Sequence, residues 1–214
     1  MNLSLLIENQ YFGTVNYYQT LFQYSNIEIE QYEFFQKMSF RNRCIIPGAN
    51  GLINLTVPIE NGRNQKTLMR DIKIAYRDNW VLQHCRSLEA SYNRAPFFEY
   101  YRDELFALLE KRPVFLMELN ESLLFWTLKK FRVQLNISKT DLYRAETEPG
   151  IVDARNTILP KNFQSEDMIG KAPVNYLQVF QDRIGFMPNM CILDLLFCVG
   201  PSGANLLKSN ENQF

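Results

Sequence analysis

The chain of 214 residues contains a single histidine, His84. That scarcity removes metal centres built on several imidazoles, including the H-E-x-x-H zinc pattern. Any Ser–His or Cys–His nucleophilic pair would have to use this one ring. Net charge is absent as well, since 23 basic residues balance 23 acidic ones. Without the basic excess that phosphate contacts require, a nucleic-acid partner is disfavoured. Long apolar runs are missing too. The longest candidate, Met190 to Gly200, carries Asp194 near its middle and falls short of the roughly 18 apolar residues of a membrane span. The first run, Leu3 to Ile7, has no basic residue ahead of it and is too short for a signal peptide. Cys44, Cys85, Cys191 and Cys198 form no C-x-x-C pair, so they are read as reduced thiols of a cytoplasmic protein. Walker A, G-x-G-x-x-G and G-x-S-x-G are absent, and no cofactor is assigned. Gly200-Pro201-Ser202-Gly203 follows an expected helix, whereas a phosphate loop precedes one.

What is present is a globular balance of 46% hydrophobic and 21% charged residues, long enough to bury one sizeable core. Residues 2–8 read as an opening strand, 9–13 as a loop, and 14–24 as a short amphipathic helix. Ile27-Glu28-Ile29-Glu30 alternates like a half-exposed strand. Arg41 to Ile46 and Leu52 to Val57 are β-rich runs around a gap containing Asn50-Gly51, a hairpin-turn dipeptide. In the second run Ile53, Leu55 and Val57 point one way, with Asn54 and Thr56 opposite. Residues 60–67 are polar and read as a mobile loop, followed by a brief strand at 71–75. Helices are expected at about 78–93, 97–111 and 120–132, the first with a stripe of Val81, Cys85, Leu88 and Tyr92. Short strands are expected around 140–144 and 153–159, a loop at 162–173, a strand at 174–180 and a buried helix at 191–199 ended by Gly200. The last six residues read as frayed. The fold class is therefore α/β, with a mixed β-sheet and a helical middle section, in a single domain.

Three places invite chemistry. His84 shares a helical stripe with Trp80, Ser87 and Ser91, at the border between core and solvent. It is either a base in a cleft wall or a histidine bonded to a backbone carbonyl. Arg41 and Arg43 share a strand face if that strand forms, with Lys37 just before them. They would fork onto a phosphate or carboxylate, or pair with Glu28, Glu30 and Glu33. Asp194 sits among apolar neighbours and must be paired, capped or protonated: it caps its helix, binds an arginine such as Arg155, or acts as a base with raised proton affinity. Tyr11, Tyr17, Tyr18 and Tyr92 are candidates to stack on a sugar or base.

Phe40-Arg41-Asn42-Arg43-Cys44-Ile45, Ala49-Asn50-Gly51, Leu55-Thr56-Val57-Pro58, Trp80 with His84, and Ser91-Tyr92 with Pro96 resemble the WbqC-like protein family. So do Asp153 with Arg155, Pro160-Lys161, Tyr176 with Gln178-Val179-Phe180, and Ile192-Leu193-Asp194 running on to Gly200-Pro201. Two departures stand out: the first loop is Asn9-Gln10-Tyr11-Phe12-Gly13 without the usual proline, and Cys85 replaces a tryptophan after the histidine. The resemblance implies a domain over 1–207 with a polar tail at 208–214. It further implies cell-surface polysaccharide (O-antigen) biosynthesis, as an acyl or aminoacyl transferase on a nucleotide-linked amino sugar. The alternative is a non-catalytic binding or assembly protein of the same pathway. On the first reading Arg41, Arg43 and Lys161 hold a diphosphate, and aromatics including Tyr11 stack on base or sugar. Asn42, Asp153, Arg155, Tyr176 and Gln178 complete the site, with His84 or Asp194 as general base.

Overall fold

The computed structural model describes residues 3–60, 66–165 and 172–208. Strand β1, Ser4–Glu8, is a nearly continuous apolar run buried on both faces, as a strand inside a covered parallel sheet must be. Helix α1, Val15–Leu21, leads to β2, Asn26–Glu30, where Ile27 and Ile29 are buried and Glu28 is half-buried. Far along the chain come β5, Asn136–Lys139, and β6, Ile151–Asp153. These four strands are parallel, in the order β5-β2-β1-β6, with Ile7 beside Ile29 and Ile27 beside Ile137. Counted by appearance in the sheet the order is 3-2-1-4, the start of a doubly wound arrangement whose switch point lies between β1 and β6.

Strands β3, Arg43–Gly48, and β4, Gly51–Thr56, form a separate antiparallel hairpin around Ala49 and Asn50. Gly51 opens β4 with a φ of 127°, a value that favours glycine. Ile53, Leu55 and Val57 face inward while Leu52, Asn54 and Thr56 are exposed. The α/β class is as expected, but parallel and antiparallel pairings are segregated into two sheets instead of sharing a mixed one. The hairpin starts at Arg43 because Asn42 leaves the ladder: its carbonyl accepts Val57 N–H and its amide donates to Val57 O.

The helical middle comprises α2, Trp80–Tyr92, α3, Phe98–Glu110, and α4, Leu116–Lys130. Helix α4 begins four residues earlier than expected, where Glu118 accepts the Phe115 N–H and caps the first turn. It ends on Lys129 and Lys130, cations that suit the negative end of the helix dipole. Residues 71–75 make no regular strand. A 3-10 turn at Met69–Asp71 precedes isolated bridges, with Ile74 N–H bonding Val114 O and Leu116 N–H bonding Ile72 O.

The strands expected at 140–144 and 153–159 lie earlier, because Ile137 and Val152 are the apolar residues that reach the core, and the chain turns away after Lys139 and Asp153. Helix α1 is shorter than 14–24 and is buried throughout. Residues 174–178 keep a strand's alternation, Val174, Tyr176 and Gln178 buried and Asn175 and Leu177 exposed, but pair with no other strand. A short helix α5, Gln181–Ile184, follows. Helix α6, Ile192–Val199, is capped by Gly200 at φ 70°, and a 3-10 turn leads into α7, Gly203–Lys208, where no helix was expected. The loops anticipated at 60–67 and 162–173 fall partly, and the frayed end at 209–214 wholly, outside the described residues. No helix among the described residues is long and apolar enough to cross a membrane.

Candidate functional site at the carboxyl edge of the sheet

Three parallel strands end on a carboxylate: β1 on Glu8, β2 on Glu30 and β6 on Asp153. Glu8 and Glu30 are buried, at 1% and 0% exposure. In the turn after β6, Arg155 sends Nη1 to Glu30 Oε2 at 3.0 Å and Nε and Nη2 to Asp153 at 3.0 and 2.6 Å. Nη2 also donates to the Arg144 carbonyl. Arg41, fully buried, sends Nε and Nη2 to Glu33 at 2.6–2.8 Å and Nη2 to Asn156 Oδ1 at 2.8 Å. Glu8 in turn accepts the Asn156 N–H at 2.9 Å and the Gln10 side-chain N–H at 2.7 Å. Over this floor opens a cleft of about 820 Å³, walled by Tyr32, Glu33, Phe34, Tyr143, Asp153 and Arg155 among others.

The electrostatics follow from burial. Desolvation raises the proton affinity of Glu33 above the ordinary range, against the pull of the Arg41 guanidinium. Hydrogen bonds from Arg155 hold the part-exposed Asp153 below it. The arrangement sits at the carboxyl ends of the strands beside the switch point, where open parallel sheets bind ligands.

His84 lies elsewhere. It is 4% exposed, inside the core instead of at its border. Burial pushes it down to about 4, so the ring is neutral near neutral pH. Its Nδ1 is 3.0 Å from the Tyr11 hydroxyl, and the backbone carbonyl of Thr56 is its other partner. The tautomer is thereby set: Tyr11 donates to Nδ1, and Nε2–H donates to Thr56. Trp80 meets the ring edge-on at 5.0 Å.

Asp194 forms a third cluster. In the first turn of α6, its Oδ2 accepts the Tyr176 hydroxyl at 2.7 Å and the Gln178 Nε2–H at 2.8 Å. Gln178 also bonds both backbone groups of Met187, which ties the irregular 174–190 segment to the helix. Burial pushes Asp194 up to about 6. Arg155 is not its partner, since that guanidinium is engaged by Asp153 and Glu30.

The structure thus brings Arg41, Asp153 and Arg155 together, joins Tyr11 to His84, and joins Tyr176 and Gln178 to Asp194. Arg41 and Arg43 do not share a face. Arg41 turns into the interior, while Arg43 is a half-buried strand residue. Asn42 bonds the hairpin backbone and Lys161 is exposed in a turn. Tyr11, Tyr17, Tyr18 and Tyr92 are all core residues at 2% exposure or less, not stacking surfaces. Sequence reasoning passed over Glu8, Glu30 and Asn156 as site residues. The available signal was two carboxylates each closing an apolar strand.

Fold and cleft together define an α/β protein with a charged cleft at the carboxyl edge of a parallel sheet. A family model, that of the WbqC-like protein family, matches residues 9–153, and the chain belongs to that family. The matched span holds Glu30, Glu33, Arg41, His84 and Asp153, while Arg155, Tyr176, Gln178 and Asp194 lie beyond it. Comparison with curated proteins and with solved structures gave no match.

Proposed function

We propose that this protein is a cytoplasmic transferase of cell-surface polysaccharide (O-antigen) biosynthesis, acting on a nucleotide-linked amino sugar bound in the carboxyl-edge cleft. The observation that carries the reading is a buried, charged floor beneath a ligand-sized cleft at the sheet's switch point. The pathway is the one that the resemblance to the WbqC-like family implies. In the transfer, the sugar amine forms a bond to the acyl carbon of an activated donor, and the carrier leaves with the electron pair. Glu33 is placed to take the proton, because it lines the cleft and burial raises its proton affinity. Neither His84 nor Asp194 lines this cleft, and both are held by core hydrogen bonds. The four cysteines are free thiols, which suits a reducing compartment.

A thermal-shift screen against UDP-, GDP-, CMP- and dTDP-linked sugars tests the reading. A ligand at about 100 times its Kd stabilises the fold by about 2.7 kcal/mol, a shift of several degrees for this chain. The shift should vanish in Asp153→Asn. One observation favours the non-catalytic alternative: the polar motif residues Arg41, Tyr176, Gln178 and Asp194 all bond within their own fold. Absence of stabilisation by every nucleotide class would put that reading first.

A further inference from the structure

We propose that the chain carries a second binding site, for a neutral saccharide, between the carboxyl end of α2, the β3–β4 turn and residues 179–183. The site shares no lining residue with the carboxyl-edge cleft, and it stands whether or not that cleft is a transferase site. Its cavity measures about 580 Å³, within the range of small-ligand sites. The walls come from three stretches far apart in sequence: Ala49 of the turn, Glu89, Ser91, Asn93 and Arg94 of the helix end, and Val179 to Arg183. Arg183 Nη2 donates to Asn50 Oδ1 at 3.1 Å, which ties the third wall to the first across 133 residues.

Most of what these walls offer is unspent. Glu89, Arg94 and Asp182 form no ion pair and no side-chain hydrogen bond with any described residue. Ser91 is 2% exposed, and its Oγ is buried without a hydrogen-bond partner. Phe180 is half-buried, yet its ring does not pack against the core as its neighbour Val179 does.

The class of ligand follows from that chemistry. Two carboxylates, Glu89 and Asp182, share the walls with two guanidiniums, Arg94 and Arg183, so net charge draws in no ion of either sign. A wholly apolar ligand would strip water from four charges without replacing it. Among the described residues no group of three His, Cys, Asp or Glu is placed to hold a metal ion. A neutral ligand with donors and acceptors on adjacent atoms meets both sets at once. Vicinal hydroxyls accept from a guanidinium fork and donate to a carboxylate, and the Asn93 amide offers one group of each kind. The C–H face of a pyranose ring then covers the free Phe180 ring, with Val179 and Ala49 beside it.

Titration of the ¹⁵N-labelled chain with the methyl glycosides of D-glucose, D-galactose and D-mannose tests this. At least one should give saturable amide shifts at residues 89–94 and 179–183, with 32–37 and 153–156 unmoved. Sorbitol, which has the hydroxyls without the ring, should give much weaker shifts. Phe180→Ala should weaken the binding about tenfold. Arg94→Ala, at an exposed position, should weaken it severalfold in a chain that keeps its native spectrum. The proposal is overturned by no saturable shift with any of the three glycosides, by an equal response to sorbitol, or by unchanged affinity in both variants. Inorganic phosphate moving the same amides in place of the sugars overturns it too. The two readings fail separately, because the carboxyl-edge cleft reports through 32–37 and 153–156 alone.

Discussion

Arg155 reaches across the end of β1 to place its Nη1 3.0 Å from Glu30 Oε2, joining the last strand of the sheet to the second. The Glu30 side chain is wholly buried and that of Arg155 is 8% exposed. The pair fixes the spacing of the strand ends on which the cleft is built.

Arg155→Met should therefore leave Glu30 as an uncompensated buried charge, at a cost of about 3 kcal/mol or more. Urea denaturation is the direct measure, with Tm falling by on the order of 10 °C. Adding Glu30→Gln should recover part of the loss, because the stranded charge is then gone. A double variant as unstable as the single one would count against the pairing.

The dependence of stability on pH contains two opposing terms. Asp194, pushed up to about 6, is protonated in the native state where the unfolded carboxyl has ionised. Its contribution is full at the acid end and is lost as pH rises from about 4 to 6. His84, pushed down to about 4, stays neutral where the unfolded ring is charged, so its contribution is full above about 6.5 and lost as pH falls to 4. Each amounts to about 3 kcal/mol, and between pH 4 and 6 they nearly cancel. Relative to the parent, Asp194→Asn should gain stability as pH rises through that window. His84→Gln should gain stability relative to the parent on acidification through the same window. Parallel profiles for all three proteins would refute the assignment.

The single imidazole makes its tautomer directly observable. Its ¹⁵N signals should show hydrogen on Nε2 at neutral pH. Tyr11→Phe, which strips Nδ1 of its only side-chain donor, should cost about 1–3 kcal/mol by leaving a buried acceptor unmet. A hydrogen on Nδ1 would make the ring the donor to the Tyr11 oxygen and leave the Thr56 carbonyl without a proton from Nε2, which overturns the assignment.

Gly200 combines φ 70° with a close neighbour: a Cβ there would lie 2.6 Å from Phe97 Cε1. Gly200→Ala should cost about 2 kcal/mol in backbone strain and displaced ring together. Phe97→Leu in the same chain should restore only the part due to the ring, which chemical denaturation can resolve.

Local pattern was enough for the hairpin, for α2 and α3, and for α6 with its glycine cap, because each is built from contacts close in sequence. It misled where the partner was remote. The alternation at Val174, Tyr176 and Gln178 is a real period of two, yet its inward polar groups serve Asp194 and not a neighbouring strand. Arg41 and Arg43 alternate correctly for a strand that never reaches Arg41, because Glu33 draws the first guanidinium inward. The motif residues Arg41, Asp153 and Arg155 could be named from sequence. That they meet over Glu8 and Glu30 depends on strand order, which no local pattern encodes.

Strand order also governs when the molecule can form. Asn26 and Asn136 pair across 110 residues, and Asn156 reaches Glu8 across 148. Such pairings carry a large loop-closure cost and slow the search for the native state. During synthesis the hairpin and the helical middle can order first, while β1 and β2 wait with open edges. The seam between β1 and β6 cannot close until residues 151–156 have been made, so a chain ending before Arg155 lacks side chains that wall the cleft.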